Sequence, residues 1–273
     1  MAAVMAVKER SAIWPWHGDT PPHLPRPDKI PRAFLLPGDP ARVDRAAEVL
    51  EDFRIVGQNR EFRMGCGLFD GALIGVCSTG IGGASTEIAI IELAAMGVRI
   101  AIRTGGMGAL AADLKLGDFL IVDEAIRNSA VAAFYAEPGT QVRADADVAM
   151  ALEQARRALE LGGRLGKCAT ADGYYRAQGR PDRPGEAGEP ALLDRLAARG
   201  ADGVEMEAEI VLAAGGALGV KAGAVLAVHA HRLSDGWLED YEKTQRDLLT
   251  IGACAAAKLL AALDKQIPRG ELT

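Results

Sequence analysis

At 273 residues the chain is long enough for one large domain with a buried core, and 49% hydrophobic against 25% charged residues place it among folded globular proteins. A formal charge of -6 offers no basic face of the kind a phosphate backbone needs, which argues against a nucleic-acid binder and leaves basic residues to act locally. The 32 glycines are scattered rather than periodic, which argues against a fibrous chain.

Residues 1–32 carry Pro15, Pro21, Pro22, Pro25, Pro27 and Pro31 and read as an arm without regular helix or central strand. The N-terminus begins apolar, but Lys8, Glu9 and Arg10 interrupt it before a signal-like core develops. No later stretch reaches the roughly 18 apolar residues of a membrane span, so no membrane partner is expected. Cys66, Cys77, Cys168 and Cys254 show neither CxxC spacing nor the density of a disulfide scaffold, and buried thiols in a reducing, cytoplasmic setting are the expectation.

Beyond the arm, short β-branched runs at 33–36, 72–78, 100–103, 119–122, 166–170, 203–205 and 222–229 read as strands. Between them, 40–51, 85–96, 145–161, 191–199, 207–218 and 241–265 carry apolar residues at three- and four-residue spacing and read as helices. The alternation predicts a single α/β domain over residues 33–273, a sheet covered by helices. Several unusual segments fall where strands end, the usual ligand position in open α/β sheets.

The segment LLPGDPARV, residues 35–43, runs from an apolar strand into Gly38, with Asp39 suited to cap a helix and Pro40 to begin it. Gly38 lets a backbone N–H approach an anion, and Arg42 adds a charged fork; a capped helix with a solvent-facing arginine is the plain alternative. The glycines of STGIGGAS, residues 78–85, lack the spacing of a dinucleotide fingerprint and suit a tight strand-to-helix turn. In IRTGGMGAL, residues 102–110, Arg103 ends a strand before a glycine turn, where a buried guanidinium requires an acidic side chain or an anionic ligand.

Tyr174, Gln178 and Arg180, in ATADGYYRAQGR, offer an aromatic wall, an amide and a guanidinium that would suit a flat heterocycle, or else are ordinary loop residues. Residues 179–190, GRPDRPGEAGEP, are too rich in glycine, proline and charge for regular structure and read as a surface loop or a lid. In GVEMEAEI, residues 203–210, Glu205 and Glu207 flank Met206; at i and i+2 on a strand they share a face and would repel one another without a bound donor. His229 and His231 could begin a metal site, but no third ligand is suggested, so packing or a base contact is the better reading.

These segments, taken in order with His23, NREF at 59–62 and VEMEA, resemble the nucleoside phosphorylase family and, within it, the members acting on uridine. The resemblance implies a mixed central sheet flanked by helices, and reversible phosphorolysis of uridine, or of deoxyuridine or thymidine, to uracil and the sugar 1-phosphate. It implies that Gly38, Arg42 and Arg103 bind phosphate beside Gly106, with Arg60 contributed by a neighbouring subunit. Met206, Glu207 and Glu205 would hold the ribose, and His23 would reach its 5′-hydroxyl from the adjoining subunit. Tyr174, Gln178, Arg180 and Arg232 would meet the base, with Arg42, Arg103, Gln178, Arg180 and Glu207 carrying the catalysis.

No organic cofactor is implied, but Glu61, Ile81 and Ser85 match positions that in some relatives line a potassium site between subunits. A hexamer built as three dimers is implied too. Where relatives carry threonines after the glycine of the arginine strand, this chain has Gly106 and Met107, so a hydroxyl contact is missing. Where purine enzymes of this kind carry an aspartate, it has His231 and Arg232. A purine phosphorylase, a hydrolytic nucleosidase and a non-catalytic binding or storage protein are the alternatives. On sequence grounds Arg103→Ala should severely lower kcat/KM and leave the fold intact.

Overall fold

The computed structural model describes residues 12–266. Strand β1 (Ala33–Leu36) is buried at every residue, as a central parallel strand covered on both faces must be. It pairs in parallel with β4 (Ala72–Cys77) on one side and β5 (Ile100–Ala109) on the other. Because side chains alternate along a strand, β1 feeds two cores. Phe34 and Leu36 join Ile90 and Leu93 of α2 (Gly83–Ala95) and Ile210 and Val211 of α5 (Ala208–Ala217). Ala33 and Leu35 join Val148 and Leu152 of α3 (Ala146–Ala158) and Leu249 and Ile251 of α6 (Tyr241–Gln266).

The strand β5 organises the sheet. Along its first four residues it lies between β1 and β10 (Lys221–His231). At Gly108 and Ala109 its β1 side is taken instead by β9 (Gly203–Glu205), which runs antiparallel to it. β9 continues to β8 (Gly163–Thr170), β8 to β6 (Phe119–Ile126), and β6 to β10, which returns to β5. That half of the sheet therefore closes into a ring. A smaller cluster outside it places Leu193 and Leu196 of α4 (Ala191–Ala198) over Ala169, Ala171 and Val204.

The other half runs from β1 through β4 to β3 (Phe62–Phe69) and β2 (Glu51–Asn59). The short β7 (Val142–Arg143) borders β6, and β11 (Gly236–Trp237) borders β10. Among the described residues the 11 strands form one mixed sheet, so the α/β reading holds and β5, β6, β8 and β10 extend beyond the predicted runs.

Two expectations are corrected. The helix predicted at 40–51 is only α1 (Ala41–Asp44) and a single tight turn, Arg45–Glu48, because the chain must swing out to enter β2 at Glu51. The hairpin β2–β3 had no predicted counterpart. Its strands are obscured by charge and glycine: β2 is mostly exposed, and Gly65 and Gly67 of β3 leave room for Phe53 and Leu50, which press on the β3 backbone. Residues 12–32 contain no helix or strand beyond a bridge between His17 and Thr20, and Leu24 within them is buried in the core, its N–H donating to Glu92 Oε2 at 2.8 Å. No described helix is long and apolar enough to cross a membrane. All four cysteines are free; three are buried and Cys254 is half-buried.

Phe34 faces Gly75 across the β1–β4 ladder, and a Cβ at Gly75 would overlap its ring. Gly75→Ala should therefore destabilise the fold by about 1–3 kcal/mol through overpacking. Urea unfolding reads this directly, and an unchanged midpoint would contradict the packing described.

Candidate active site

Between Arg103, where β1 stops, and Gly108, where β9 begins, β5 is paired on one edge only. The loops after β1 and β4 converge on that open edge. They are tied by Thr79 N–H to Pro37 O at 2.9 Å and by Gly80 N–H to Gly38 O at 3.0 Å. Gly38 is needed there because a Cβ would lie 3.0 Å from Gly80 O and 3.8 Å from Arg103 Nη1. The Asp39 carboxylate accepts from Ala41 N–H at 2.9 Å, holding the turn that delivers Arg42.

Arg103 is buried and its partners are acidic side chains. Its Nε donates to Glu205 Oε2 at 3.0 Å and its Nη2 to Glu207 Oε2. Gly105 lets the guanidinium lie along the strand, since a Cβ there would sit 2.7 Å from Nη2. Glu205 also accepts from Thr170 Oγ1 at 2.6 Å and from Glu207 N–H and Ala208 N–H at the start of α5. Glu207 Oε1 accepts from Gly82 N–H at 2.6 Å, where the backbone is left-handed at φ 95°. The repulsion expected between the two glutamates is thus relieved by Arg103, and STGIGGAS is a turn that supplies a donor. Of the Arg103 guanidinium nitrogens, Nη1 is buried without a partner among the described residues, and it points toward Gly38.

A cavity of about 920 Å³ opens over these groups. It is lined by Gly38, Arg42, Arg103, Gly106, Glu205, Met206 and Glu207 on one side and by Tyr174, Gln178 and Arg180 on the other. Gln178, itself buried, accepts from Arg180 Nη1 at 2.8 Å through its side chain, and from Arg232 Nη2 at 2.9 Å through its carbonyl. Arg180 lies 4.3 Å over the Tyr174 ring and 5.9 Å from that of Trp237. Residues 179–190, which include Arg180 of this wall, contain no helix or strand, and Glu189 N–H donates to Gly179 O at 2.9 Å, bringing the segment back to its start.

Trp237, Tyr241 and His229 also line the cavity and had no predicted site role there, apart from the base contact weighed for His229. Trp237 sits on a two-residue strand and Tyr241 at a helix start, positions for which spacing carries no signal. No group of three or more His, Cys, Asp or Glu side chains that could hold a metal occurs among the described residues.

Arg232, expected to meet the base, reaches only the Gln178 carbonyl and does not line the cavity, and two further predicted site residues lie elsewhere. His23 Nδ1 meets Glu92 Oε1 at 2.6 Å on α2, and Arg60 occupies the exposed tip of the β2–β3 hairpin at φ 53°. Neither lines the cavity of its own chain. Glu61 and Ser85 converge over Gly80, where a Cβ would lie 2.7 Å from Glu61 Cγ and 2.9 Å from Ser85 Oγ; Ile81, beside them, is exposed.

The electrostatics favour an anion. Burial, then repulsion from Arg103, lowers the pKa of Arg42, so a negative ligand between the two would relieve both costs. Burial pushes the Glu207 carboxyl above the ordinary range against the pull of Arg103. Burial, with Arg42 and Arg103 nearby, lowers the His229 pKa to about 4.

The site is thus a buried arginine–glutamate cluster on the open edge of a mixed sheet, beneath an aromatic and amide wall, in a single α/β domain. The family model described as Phosphorylase superfamily matches residues 32–263, and the chain belongs to that family. It is 35% identical over 246 residues to the uridine phosphorylase of Thermococcus kodakarensis, covering 89% of this chain and 87% of that one. It is 30% identical over 231 residues to the uridine phosphorylase of Escherichia coli, covering 83% and 91%. Among solved structures it matches the purine nucleoside phosphorylase of Toxoplasma gondii in complex with immucillin-H, with a TM-score of 0.80, 26% identity, and coverage of 90% of this chain and 99% of that one.

The expectation that Arg103→Ala leaves the fold intact is revised by this geometry. Removing the guanidinium strands two buried carboxylates and should cost about 3–5 kcal/mol of stability. An unfolding free energy equal to that of the unaltered protein would contradict the assignment. For His229, whose folded pKa lies below the ordinary 6.5, the unfolded chain binds the extra proton between about pH 4 and 6.5. Its contribution to stability is complete above that window and falls as pH drops through it. An NMR titration of the ring with a midpoint near 6.5 would contradict this.

Proposed function

We propose that the protein is a uridine phosphorylase, a pentosyltransferase that cleaves uridine with phosphate to give uracil and ribose 1-phosphate, reversibly. The observation that carries the reading is the buried, unpartnered Nη1 of Arg103, aimed at Gly38 with Arg42 alongside. A nitrogen so placed is costly to bury unless an anion completes it.

Phosphate sits on the open edge of β5, held by the Gly38 N–H, Arg42 and Arg103, beside Gly106. Glu207, with one donor on each oxygen, keeps lone pairs for ribose hydroxyls, whereas Glu205, already accepting from Thr170, Arg103 and the Glu207 and Ala208 N–H groups, holds Arg103 in place, and Met206 packs against the sugar. Uracil lies against Tyr174, with the Gln178 amide and Arg180 at its polar edge and Arg232 bracing Gln178 from behind. The C1′–N1 bond breaks, its electron pair leaves with uracil, and a phosphate oxygen bonds to C1′. Arg180 and Gln178 stabilise the charge developing on the base oxygens, while the phosphate stabilises the cationic sugar. Arg42 and Arg103 together distinguish phosphorolysis from hydrolysis, which has no use for an anion pocket.

His23 and Arg60, both turned away from their own cavity, serve the site of a neighbouring copy, in keeping with a hexamer of three dimers. At that contact Glu61 and Ser85 supply oxygen donors suited to a monovalent cation such as potassium, beside Ile81. The free thiols suit a cytoplasmic setting.

A panel of uridine, deoxyuridine, thymidine and inosine, followed spectrophotometrically with and without phosphate, tests the reading. Uracil release strictly dependent on phosphate, with uridine outrunning inosine, is the expected outcome. Phosphate-independent release, or inosine as the faster substrate, contradicts it. Arg42→Ala, which breaks no ion pair, should raise the phosphate KM about 10-fold to 100-fold, the worth of a charged hydrogen bond, while leaving the unfolding midpoint unchanged.

A further inference from the structure

Gly105 and Gly106 are neighbours whose missing side chains make room for different groups. Gly105 accommodates the guanidinium of Arg103, whereas a Cβ at Gly106 would overlap Nδ1 and Cε1 of His229. His229 is the extra residue of a β-bulge in β10, between Val228, which faces Met107, and Ala230, which faces Gly108. Bulges re-aim a side chain that regular pleating would direct elsewhere. Here the ring is brought over the open edge of β5, in the cavity that Gly38, Arg42 and Arg103 also line.

The ring is held from behind. Gln245 Nε2, on α6, lies 3.0 Å from His229 Nε2, and the Tyr241 ring meets the imidazole edge-on at 4.9 Å. An amide NH2 can only donate, so the histidine Nε2 accepts and the single proton of the neutral ring resides on Nδ1. Among the described residues Nδ1 has no hydrogen-bond partner. Arg42 and Arg103, with burial, keep the ring neutral at physiological pH. It therefore presents one N–H over Gly106, in the cavity that Arg42 and Arg103 also line, without adding a third cation.

We propose that His229 is a phosphate ligand: its Nδ1–H donates to an oxygen of the anion held by Arg42 and Arg103, filling the place of a side-chain donor that glycine at 106 cannot provide. The proposal rests on the phosphorolytic reading above. It explains the pairing of a side-chain-free position with a bulged histidine, each of which makes sense only with the other.

The test is initial-rate kinetics on the full chain with uridine and inorganic phosphate each varied. His229→Ala should raise the phosphate KM about tenfold or more, the loss expected of a hydrogen bond to a charged group, and leave the uridine KM within about twofold. His229→Asn, which places an amide N–H near the Nδ1 position, should recover most of the loss. Gly106→Thr combined with His229→Ala should recover part of it, because the vacated space admits a hydroxyl. Gly106→Thr alone should fail, since the ring blocks it.

An unchanged phosphate KM in His229→Ala, or a loss falling on the uridine KM instead, overturns the ligand role. So does failure of His229→Asn to rescue at matched unfolding midpoint. Should His229→Ala not fold, phosphate titration of the unaltered protein followed at the His229 Nδ1 resonance decides: a shift supports the contact and its absence overturns it. Phosphate-independent uracil release by the unaltered protein would instead overturn the phosphorolytic reading, a result distinct from either of these.

Discussion

The site depends on one buried guanidinium. Arg103 lies between Glu205 and Glu207, three charges taken out of water together, which is stable only because nearly every polar atom is answered. Glu205 collects the hydroxyl of Thr170 and the first N–H groups of α5, where the helix dipole also favours a carboxylate. Glu207 collects the Gly82 N–H from the loop after β4. The cluster thus joins β5, β8, β9, α5 and that loop, and its geometry is set before any ligand arrives. What it leaves over, Nη1 of Arg103, is the feature on which the functional reading stands.

That cluster is possible because β5 changes neighbours. Had β1 continued beside it, or β9 reached further back, the backbone edge from 104 to 107 would be closed by another strand. The exchange of partners opens a cleft at the carboxyl end of β1, the position where α/β sheets place ligands. The two glycines in that open stretch follow from crowding on either side, Arg103 on one and His229 on the other. The missing hydroxyl noted at Gly106 in the sequence is accordingly linked to His229, which the sequence alone assigns to packing or a base contact.

Much of this was legible before the structure. The strands at 33–36 and 203–205 fall where apolar runs placed them, and the carboxylate pair, Arg42, Arg103, Gln178 and Arg180 line one cavity. The chemistry made that possible: a strand-end arginine or an i, i+2 glutamate pair demands a partner. The hairpin β2–β3 was not legible from alternation, because Gly65 and Gly67 stand where apolar side chains would mark a strand. One signal was available. Asp70–Gly71, both at positive φ, is the turn between β3 and β4, and that dipeptide between apolar runs marks a hairpin. Neither the bulge at His229 nor the ring closure of the sheet could be read locally, since each depends on pairing between distant strands.

The central claim is that the free nitrogen of Arg103, with Arg42 and the Gly38 backbone, is an anion site built for phosphate. A crystal structure of the protein grown with inorganic phosphate tests it most directly. The account predicts phosphate oxygens within hydrogen-bond distance of Arg103 Nη1 and the Gly38 N–H, with the Arg103–Glu205–Glu207 cluster unmoved. Phosphate bound elsewhere, or Nη1 turned onto a protein acceptor, would contradict it.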